Sequence, residues 1–257
     1  MPPRNINIGI FIPVYHREKF VQDSLNSIGS TLILNEKYIL RTSIWIGVNG
    51  ASEDLSSYLL DFCKKDQRAG SRNVLFHPKN IGKPSSVNTL VNIADGQAPL
   101  DYVVSYDSDM VVTDPGWLLK LVEIYEEFPV AWGNARIGAL CPAQAVGNCH
   151  VLDKDPFTYK FGNYTLVGRA GNQGVAGGVL FTSMHVWKAV GGYYAHRIYA
   201  SDDGHFMLSC SKLGLMCLVV QEVSLIHPVE IDPQYASWKV RACHDQLFPH
   251  ELNGFWK

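Results

Sequence analysis

Asp107 and Asp109 close the apolar run Tyr102-Val103-Val104-Ser105-Tyr106. Residues two apart on a strand share a face, so a buried strand here would aim both acids the same way. No Lys or Arg stands beside them in sequence. Like carboxylates at the mouth of a buried strand are costly unless a cation or a hydrogen-bonding ligand lies between them. A hard divalent ion takes carboxylate and phosphate oxygens together, so the pair suits a metal carrying a diphosphate. The competing reading is a loop start with two solvated acids, because Asp-x-Asp is common by chance. The surrounding pattern has to decide.

That pattern is a series of βα units. Ile6 to Ile12 is a short apolar run stopped by Pro13, and Val21, Leu25, Ile28 and Leu32 follow at helical spacing. Ile44 to Val48 forms the next strand, ended by Asn49-Gly50. Leu55, Leu59 and Phe62 mark a second helix, with Glu53 and Asp54 in its first turn. Val74 to Phe76 is a third strand, and Val87, Leu90, Val91 and Ala94 mark a third helix. After the strand that ends at the acids, Asp114-Pro115 makes a good N-cap and first turn for a helix carrying Leu118, Val122 and Tyr125. Four such units imply an α/β fold with a parallel, doubly wound sheet. These sheets bind ligands at the carboxyl ends of their strands. Pro13-Val14-Tyr15, Asn49-Gly50 and Asp107-Ser108-Asp109 should therefore gather on one edge.

The second half is less regular. Residues 131 to 165 carry few periodic signals and are expected to wrap the sheet edge. Gly168, Gly171, Gly174, Gly177 and Gly178 form a stretch that either lets backbone approach a ligand or merely connects. Val179-Leu180-Phe181 reads as a strand and Gly191-Gly192 as a helix end. Phe206, Cys210 and Leu213 fit a helix preceded by Ser201-Asp202-Asp203, and Leu215 to Ile226 reads as one or two strands leading to His227.

The chain has 257 residues, 47% hydrophobic and 18% charged, with net charge -2. A full core is expected, and no basic surplus points to nucleic acid or an anionic membrane. No apolar stretch approaches a membrane span, and the first residues lack a signal-peptide core, so a cytoplasmic protein is expected. The six cysteines show no CxxC spacing and read as reduced core residues. Asn163-Tyr164-Thr165 fits a glycosylation sequon, read here as chance.

In order along the chain, these motifs resemble the family 2 glycosyltransferases and their GT-A fold. Ile10-Phe11-Ile12-Pro13-Val14-Tyr15-His16-Arg17 resembles the opening strand and its Pro-x-Tyr-x-Arg turn. Val48-Asn49-Gly50-Ala51-Ser52-Glu53-Asp54 is similar to the acidic second turn, with Val48 where the family has an acid. Asn80-Ile81-Gly82-Lys83 through Asn88 resembles the Asn-x-Gly-Lys segment, and Asp107-Ser108-Asp109 the Asp-x-Asp position. Gly177-Gly178-Val179-Leu180-Phe181 through Gly191-Gly192-Tyr193 resembles the Gly-Gly strand, helix and turn. Asp202-Asp203 stands where the family has Glu-Asp. The resemblance implies a Rossmann-like, mostly parallel central sheet flanked by helices, with a smaller mixed acceptor-side sheet. The whole chain, 1–257, would be a single domain: a nucleotide-binding half (1–110), an acceptor and catalytic half (111–230) and a C-terminal segment (231–257) closing over the site.

The resemblance further implies metal-dependent, inverting transfer of a sugar from a nucleoside diphosphate to an acceptor hydroxyl of a glycan, lipid-linked, protein or small-molecule partner. Mn2+ or Mg2+ would be the cofactor. Asp109 is the expected direct metal ligand, with Asp107 on ribose or a metal-bound water and His227 either an added ligand or structural. Pro13, Tyr15 and Arg17 are expected to frame the nucleobase, with Asn49 in place of the missing acid and Ser108 on the nucleotide. Lys83 either reaches the phosphates or is a solvated loop lysine. Asn88 either bonds the nucleotide or is simply polar. Asp203 is the expected base, with Asp202 capping the helix or the reverse. Gly177, Gly178 and Trp238, with Tyr235, are placed at the donor sugar and acceptor. A retaining transferase and a non-catalytic sugar-nucleotide-binding protein are the alternatives. The binding-protein alternative fits poorly with two uncompensated acid pairs.

Overall fold

The computed structural model describes residues 3–28, 37–64, 70–131, 136–146, 157–169, 178–195, 202–228 and 237. The elements run β1 (Arg4–Val14), α1 (Glu18–Ile28), β2 (Tyr38–Asn49), α2 (Glu53–Lys64), β3 (Gly70–His77), α3 (Gly82–Gln97) and β4 (Tyr102–Tyr106). They continue with β5 (Val111–Val112), α4 (Trp117–Ala131), β6 (Ile137–Val146), β7 (Phe157–Phe161), β8 (Tyr164–Gly168), β9 (Val179–Ser183), α5 (Met184–Val190), α6 (Asp202–Lys212) and β10 (Met216–Ile226).

All strands among the described residues join one sheet, in the order β3-β2-β1-β4-β9-β6-β10-β8-β7, with β5 paired to β10. β3, β2, β1 and β4 are mutually parallel. β9 enters antiparallel between β4 and β6, which makes the second part of the sheet mixed. Alternation along β1 sends Ile6, Ile8, Ile10 and Ile12 into one core with Val21, Leu25, Leu55, Leu59, Leu118 and Val122. Phe11 goes into the other, with Val87, Leu90, Trp187 and Phe206. Helices α1, α2 and α4 thus cover one face, and α3, α5 and α6 the other. Each fully buried Leu, Ile or Val contributes roughly 1.5–3 kcal/mol, so the two apolar layers hold the sheet edge in place.

Several expectations need correction. β1 does not stop before Pro13 but runs through it to Val14. β4 pairs β1 only over Ile8–Phe11, so Pro13 lies past the last rung on that side and its missing N–H breaks no ladder there. Residues 131 to 165 do not simply wrap an edge. β6 is an interior strand between β9 and β10, and β8 and β7 carry the sheet outward. Its sequence IGALCPAQAV is rich in small residues and holds Pro142, which pairs Val220 where the register with β10 is interrupted. α4 begins at Trp117, and Asp114 forms the turn before it by accepting the Gly116 N–H at 2.9 Å. Leu213 falls just past α6 and is exposed, while Phe206 and Cys210 are buried. Cys141, Cys210 and Cys217 are buried and form no disulfide, as expected. Leu32 and segment 231–257, apart from 237, lie outside the described residues. No described helix is long and apolar enough to cross a membrane.

Candidate active site

The chain leaves β1 for β2 and β3, then returns to place β4 on the other side of β1. Such a reversal is a switch point, where parallel sheets generally form a crevice beyond the carboxyl ends of the strands, here β1 and β4. Pro13 to Arg17 form the end of β1 and the turn after it, and Asp107 to Asp109 follow β4, so the expected gathering on one edge is present. His16 (φ 56) and Arg17 (φ 60) are consecutive non-glycine residues in the left-handed region. Such a backbone costs on the order of 1–3 kcal/mol per residue and is kept where surroundings over-determine it. It turns the chain sharply into α1, whose first rung runs from the Val21 N–H to the Arg17 carbonyl at 3.1 Å.

Asp107 and Asp109 are not strand neighbours aimed together. β4 ends at Tyr106, and Asp107 opens a tight turn in which the Met110 N–H donates to its carbonyl at 3.1 Å. Nor are the acids uncompensated. Arg17 Nη1 lies 2.5 Å from Asp109 Oδ2, with the two side chains only 10% and 14% exposed. The guanidinium also lies 4.1 Å over the Phe20 ring. His227 Nε2 reaches the same Asp109 oxygen at 3.4 Å. The partners come from the far side of the crevice and from the end of β10, invisible to a search for neighbours in sequence. Arg17 therefore pairs with Asp109, the acid expected from the sequence as the direct metal ligand.

Asp107 belongs to a second cluster. Lys83, in the first turn of α3, has its Nζ 2.8 Å from Asp107 Oδ1, 3.1 Å from Asp202 Oδ2 and 3.3 Å from Asp203 Oδ1. It is not a solvated loop lysine. Gly82 before it holds φ +81, and the Asn80 side chain accepts the Gly82 N–H at 2.9 Å. Burial works against the ammonium charge, yet three carboxylates hold its pKa well above the ordinary lysine value. Burial also raises the Asp107 carboxyl, with Asp109 adding to the rise and Lys83 opposing it.

Asp203 is the unusual acid. Burial, then the charges of Asp202 and Asp107, push its pKa up to about 7 against the pull of Lys83. Its side chain keeps 26% of its surface exposed, which leaves a route for a ligand oxygen. Tyr193 donates its hydroxyl to Asp203 Oδ1 at 3.2 Å. Burial, then Asp203, raises the Tyr193 phenol well above its usual range, so it stays a donor. No role for Tyr193 came from the sequence, although it closes the Gly-Gly-Tyr turn ten residues before Asp203.

Asn88, expected either to bond the nucleotide or to be simply polar, has its amide on a backbone. Its amide nitrogen donates to the Tyr193 carbonyl at 2.8 Å and its Oδ1 accepts the Tyr193 N–H at 2.9 Å. It is a clamp on the tyrosine backbone, with both ends of the amide used there. Asn49 is buried and accepts the Ile81 N–H at 3.4 Å, tying the end of β2 to the loop before α3. Tyr15 packs its ring 4.0 Å from that of His16. Ser108 sits half-buried in the turn between the acids. Gly178 accepts the Asp107 N–H at 2.8 Å, and a Cβ there would meet Met110 Sδ at 2.9 Å. Glu222, on β10, accepts the Thr165 N–H of β8 at 2.7 Å. Gly177, Tyr235 and Trp238 lie outside the described residues.

A divalent ion suits the Asp109–His227 pair in part. Among the described residues no three His, Cys, Asp or Glu side chains close around one point. Two protein donors suffice when substrate phosphates and water complete the sphere, the usual way a hard ion is carried with a nucleotide. An imidazole nitrogen beside a carboxylate favours a first-row transition ion over Mg2+.

Comparison with known proteins gives this crevice a lineage. A curated protein of Rickettsia bellii, an uncharacterized glycosyltransferase, is 33% identical over 106 residues. That match covers 41% of this chain and 13% of the relative, so the chain spans a small part of that protein. Among solved structures, the mannosyltransferase PcManGT from Pyrobaculum calidifontis, in complex with GDP-Man and Mn2+, superposes with a TM-score of 0.62 at 14% identity. It covers 94% of this chain and 61% of that one. TarS 1-349 of S. aureus in complex with UDP gives 0.58 at 12% identity, over 96% and 67%. Identities this low speak for the fold, which is GT-A. The family model "Glycosyl transferase family 2" matches residues 9–148, from the first strand through both acids and past the end of β6, more than half of the chain. This chain belongs to glycosyl transferase family 2.

Proposed function

We propose that this chain transfers a sugar from a nucleoside-diphosphate sugar to an acceptor hydroxyl, with inversion at the anomeric carbon and with a divalent ion, Mn2+ in preference to Mg2+. One observation carries the reading: a single ammonium, Lys83 Nζ, ties Asp107 after β4 to Asp203 on α6. The donor-side acids and the raised carboxylate thus face one crevice. A general base works best with a pKa near the operating pH, and Asp203 at about 7 meets that condition.

In this reading residues 1–110 hold the donor and 111–230 supply the acceptor side. Tyr15 and Asn49 border the nucleoside, while Asp109 and His227 would hold the ion. A bound ion neutralises charge developing on the leaving diphosphate. Arg17 is placed to move between Asp109 and that diphosphate, and Lys83 to hold the charge of the acids when the donor is away. Asp203 accepts the proton of the acceptor hydroxyl as its oxygen bonds to the anomeric carbon. The bond from that carbon to the diphosphate oxygen breaks in the same displacement. Tyr193 orients Asp203, and Asn88 fixes Tyr193. The Mn2+ and GDP-Man named with the Pyrobaculum mannosyltransferase support the metal and donor class.

A thermal-shift screen of UDP-, GDP-, CMP- and dTDP-sugars with Mn2+ tests the donor, since a ligand of the folded state raises apparent stability. A shift with at least one of the diphosphate sugars is expected, and none with any of them, or a shift with the CMP-sugar alone, would overturn the donor class. Proton NMR of the product then tests stereochemistry. An α-linked gluco- or galacto-type donor should give a β-linked product, and an α-linked product would sink the inverting assignment.

A further inference from the structure

We propose that Arg17 locks the ion site: it holds a free divalent ion off Asp109 and yields to a diphosphate, so that ion and nucleotide enter together. The inference rests on the glycosyltransfer reading, in which Asp109 and His227 hold the ion. Two groups already meet one oxygen there. Asp109 Oδ2 lies 2.5 Å from Arg17 Nη1 and 3.4 Å from His227 Nε2. An ion bound by this carboxylate and this imidazole comes up against the guanidinium, a like charge at close range. Ion and guanidinium therefore compete for Asp109.

The lock is firm. The paired side chains are only 10% and 14% exposed, so salt and water screen them little. The guanidinium lies 4.1 Å over the Phe20 ring, and an aromatic face favours a cation. The backbone beneath is set by the left-handed turn at His16 and Arg17 and by the bond from the Val21 N–H to the Arg17 carbonyl. The long side chain can change partners while that turn stays in place. A planar guanidinium fork pairs with phosphate oxygens as well as with a carboxylate. A diphosphate therefore gives Arg17 a new partner as Asp109 takes the ion. A free ion offers no such exchange. Coupling of this kind is reciprocal, so the nucleotide tightens the ion by the factor with which the ion tightens the nucleotide.

Two titrations test this: Mn2+ alone, followed by electron paramagnetic resonance, and UDP and GDP without metal, followed by calorimetry. Arg17→Met removes the charge and keeps a long side chain over Phe20. It should bind Mn2+ alone about tenfold tighter than the unaltered chain, within the range usual for coupled sites. It should bind metal-free nucleotide about tenfold weaker, because the diphosphate loses its guanidinium. Loss of a merely structural residue would weaken both. Phe20→Leu loosens the guanidinium and leaves its charge, so Mn2+ alone should bind about threefold tighter with metal-free nucleotide affinity unchanged. Mn2+ binding to folded Arg17→Met no tighter than to the unaltered chain overturns the lock. If melts show that Arg17→Met does not fold, Phe20→Leu decides by the same sign. An unaltered chain that binds neither UDP nor GDP, with Mn2+ or without, strikes the glycosyltransfer reading itself and takes the lock with it.

Discussion

Asp107 and Asp109 are separated by one residue, yet they belong to different electrostatic neighbourhoods. Asp109 meets a guanidinium and an imidazole, brought from the turn after β1 and the end of β10. Asp107 meets an ammonium that it shares with Asp202 and Asp203. The first neighbourhood has one carboxylate with two nitrogenous partners. The second has three carboxylates around one lysine, an excess of negative charge in a half-buried place. Excess carboxylate raises pKa, and the acid raised to about 7 lies in the second group. One neighbourhood therefore suits an ion and its diphosphate, and the other suits a proton acceptor.

The comparison is broken most sharply at Asp203. Asp203→Asn keeps the shape and removes the proton acceptor, so turnover should fall about 10²–10⁴-fold while nucleotide affinity holds. Single-turnover kinetics with calorimetry of the donor nucleotide separates the two. A larger loss from Asp202→Asn would mean the base is the other acid of the pair. Asp109→Ala should act on the other neighbourhood, weakening Mn2+-dependent nucleotide binding by about 100-fold or more, in line with several kcal/mol of metal-borne stabilisation. Titration of nucleoside diphosphate with and without Mn2+ checks it. Unchanged metal-dependent affinity would remove Asp109 from the ion.

The split between neighbourhoods was not legible in the sequence, for a physical reason. Pattern reading sees period and spacing, and it found β1 to β4, α1 to α3 and the edge where their ends meet. Arg17 and Asp109 lie 92 positions apart, and no local rule brings them together. Asn88 could be read only as a nucleotide contact or a simply polar position, because its amide bonds a backbone 105 positions on. β6 escaped because alanine, glycine and proline carry weak strand preference, and tertiary pairing with β9 and β10 overrides it. The acids, by contrast, announced themselves by ending an apolar run. Their location was readable and their partners were not.

Lys83 sharpens the comparison through pH. Lys83 pulls the Asp203 carboxyl down, so Lys83→Met should raise it further above about 7. A base acts in its charged form, so activity is present above its pKa and lost as pH falls through it. The acid limb of kcat/KM, near 7 in the unaltered chain, should therefore move to higher pH in the variant. Stability runs the opposite way. A carboxyl raised in the folded state favours folding at low pH, and that contribution fades as pH rises from its ordinary value through about 7. The variant should lose more stability than the parent on the alkaline side. Thermal melts across pH, beside the rate profile, test both signs. A limb that moves to lower pH would mean Lys83 does not act on the base.

The smallest expected effect falls on the clamp at Tyr193 and not on either neighbourhood. Gly192 holds φ +69, and a Cβ there would lie 2.7 Å from Asn88 Oδ1 and 3.2 Å from the Trp187 ring. The left-handed backbone alone disfavours any L side chain, by about 1–2 kcal/mol. The clash adds to it, because Asn88 can retreat only by releasing the Tyr193 N–H. Gly192→Ala should thus destabilise the fold by about 1–3 kcal/mol, visible as a lower Tm. Asn88→Ala in the same chain should relieve the clash while losing the clamp. The two changes should then be less than additive, as for neighbours in one network. Their effect on turnover separates support from chemistry. If Tyr193 orients Asp203, turnover falls in both single variants while Mn2+-dependent nucleotide affinity stays. If nucleotide affinity falls and turnover at saturation does not, Asn88 touches the nucleotide after all, and the clamp is secondary.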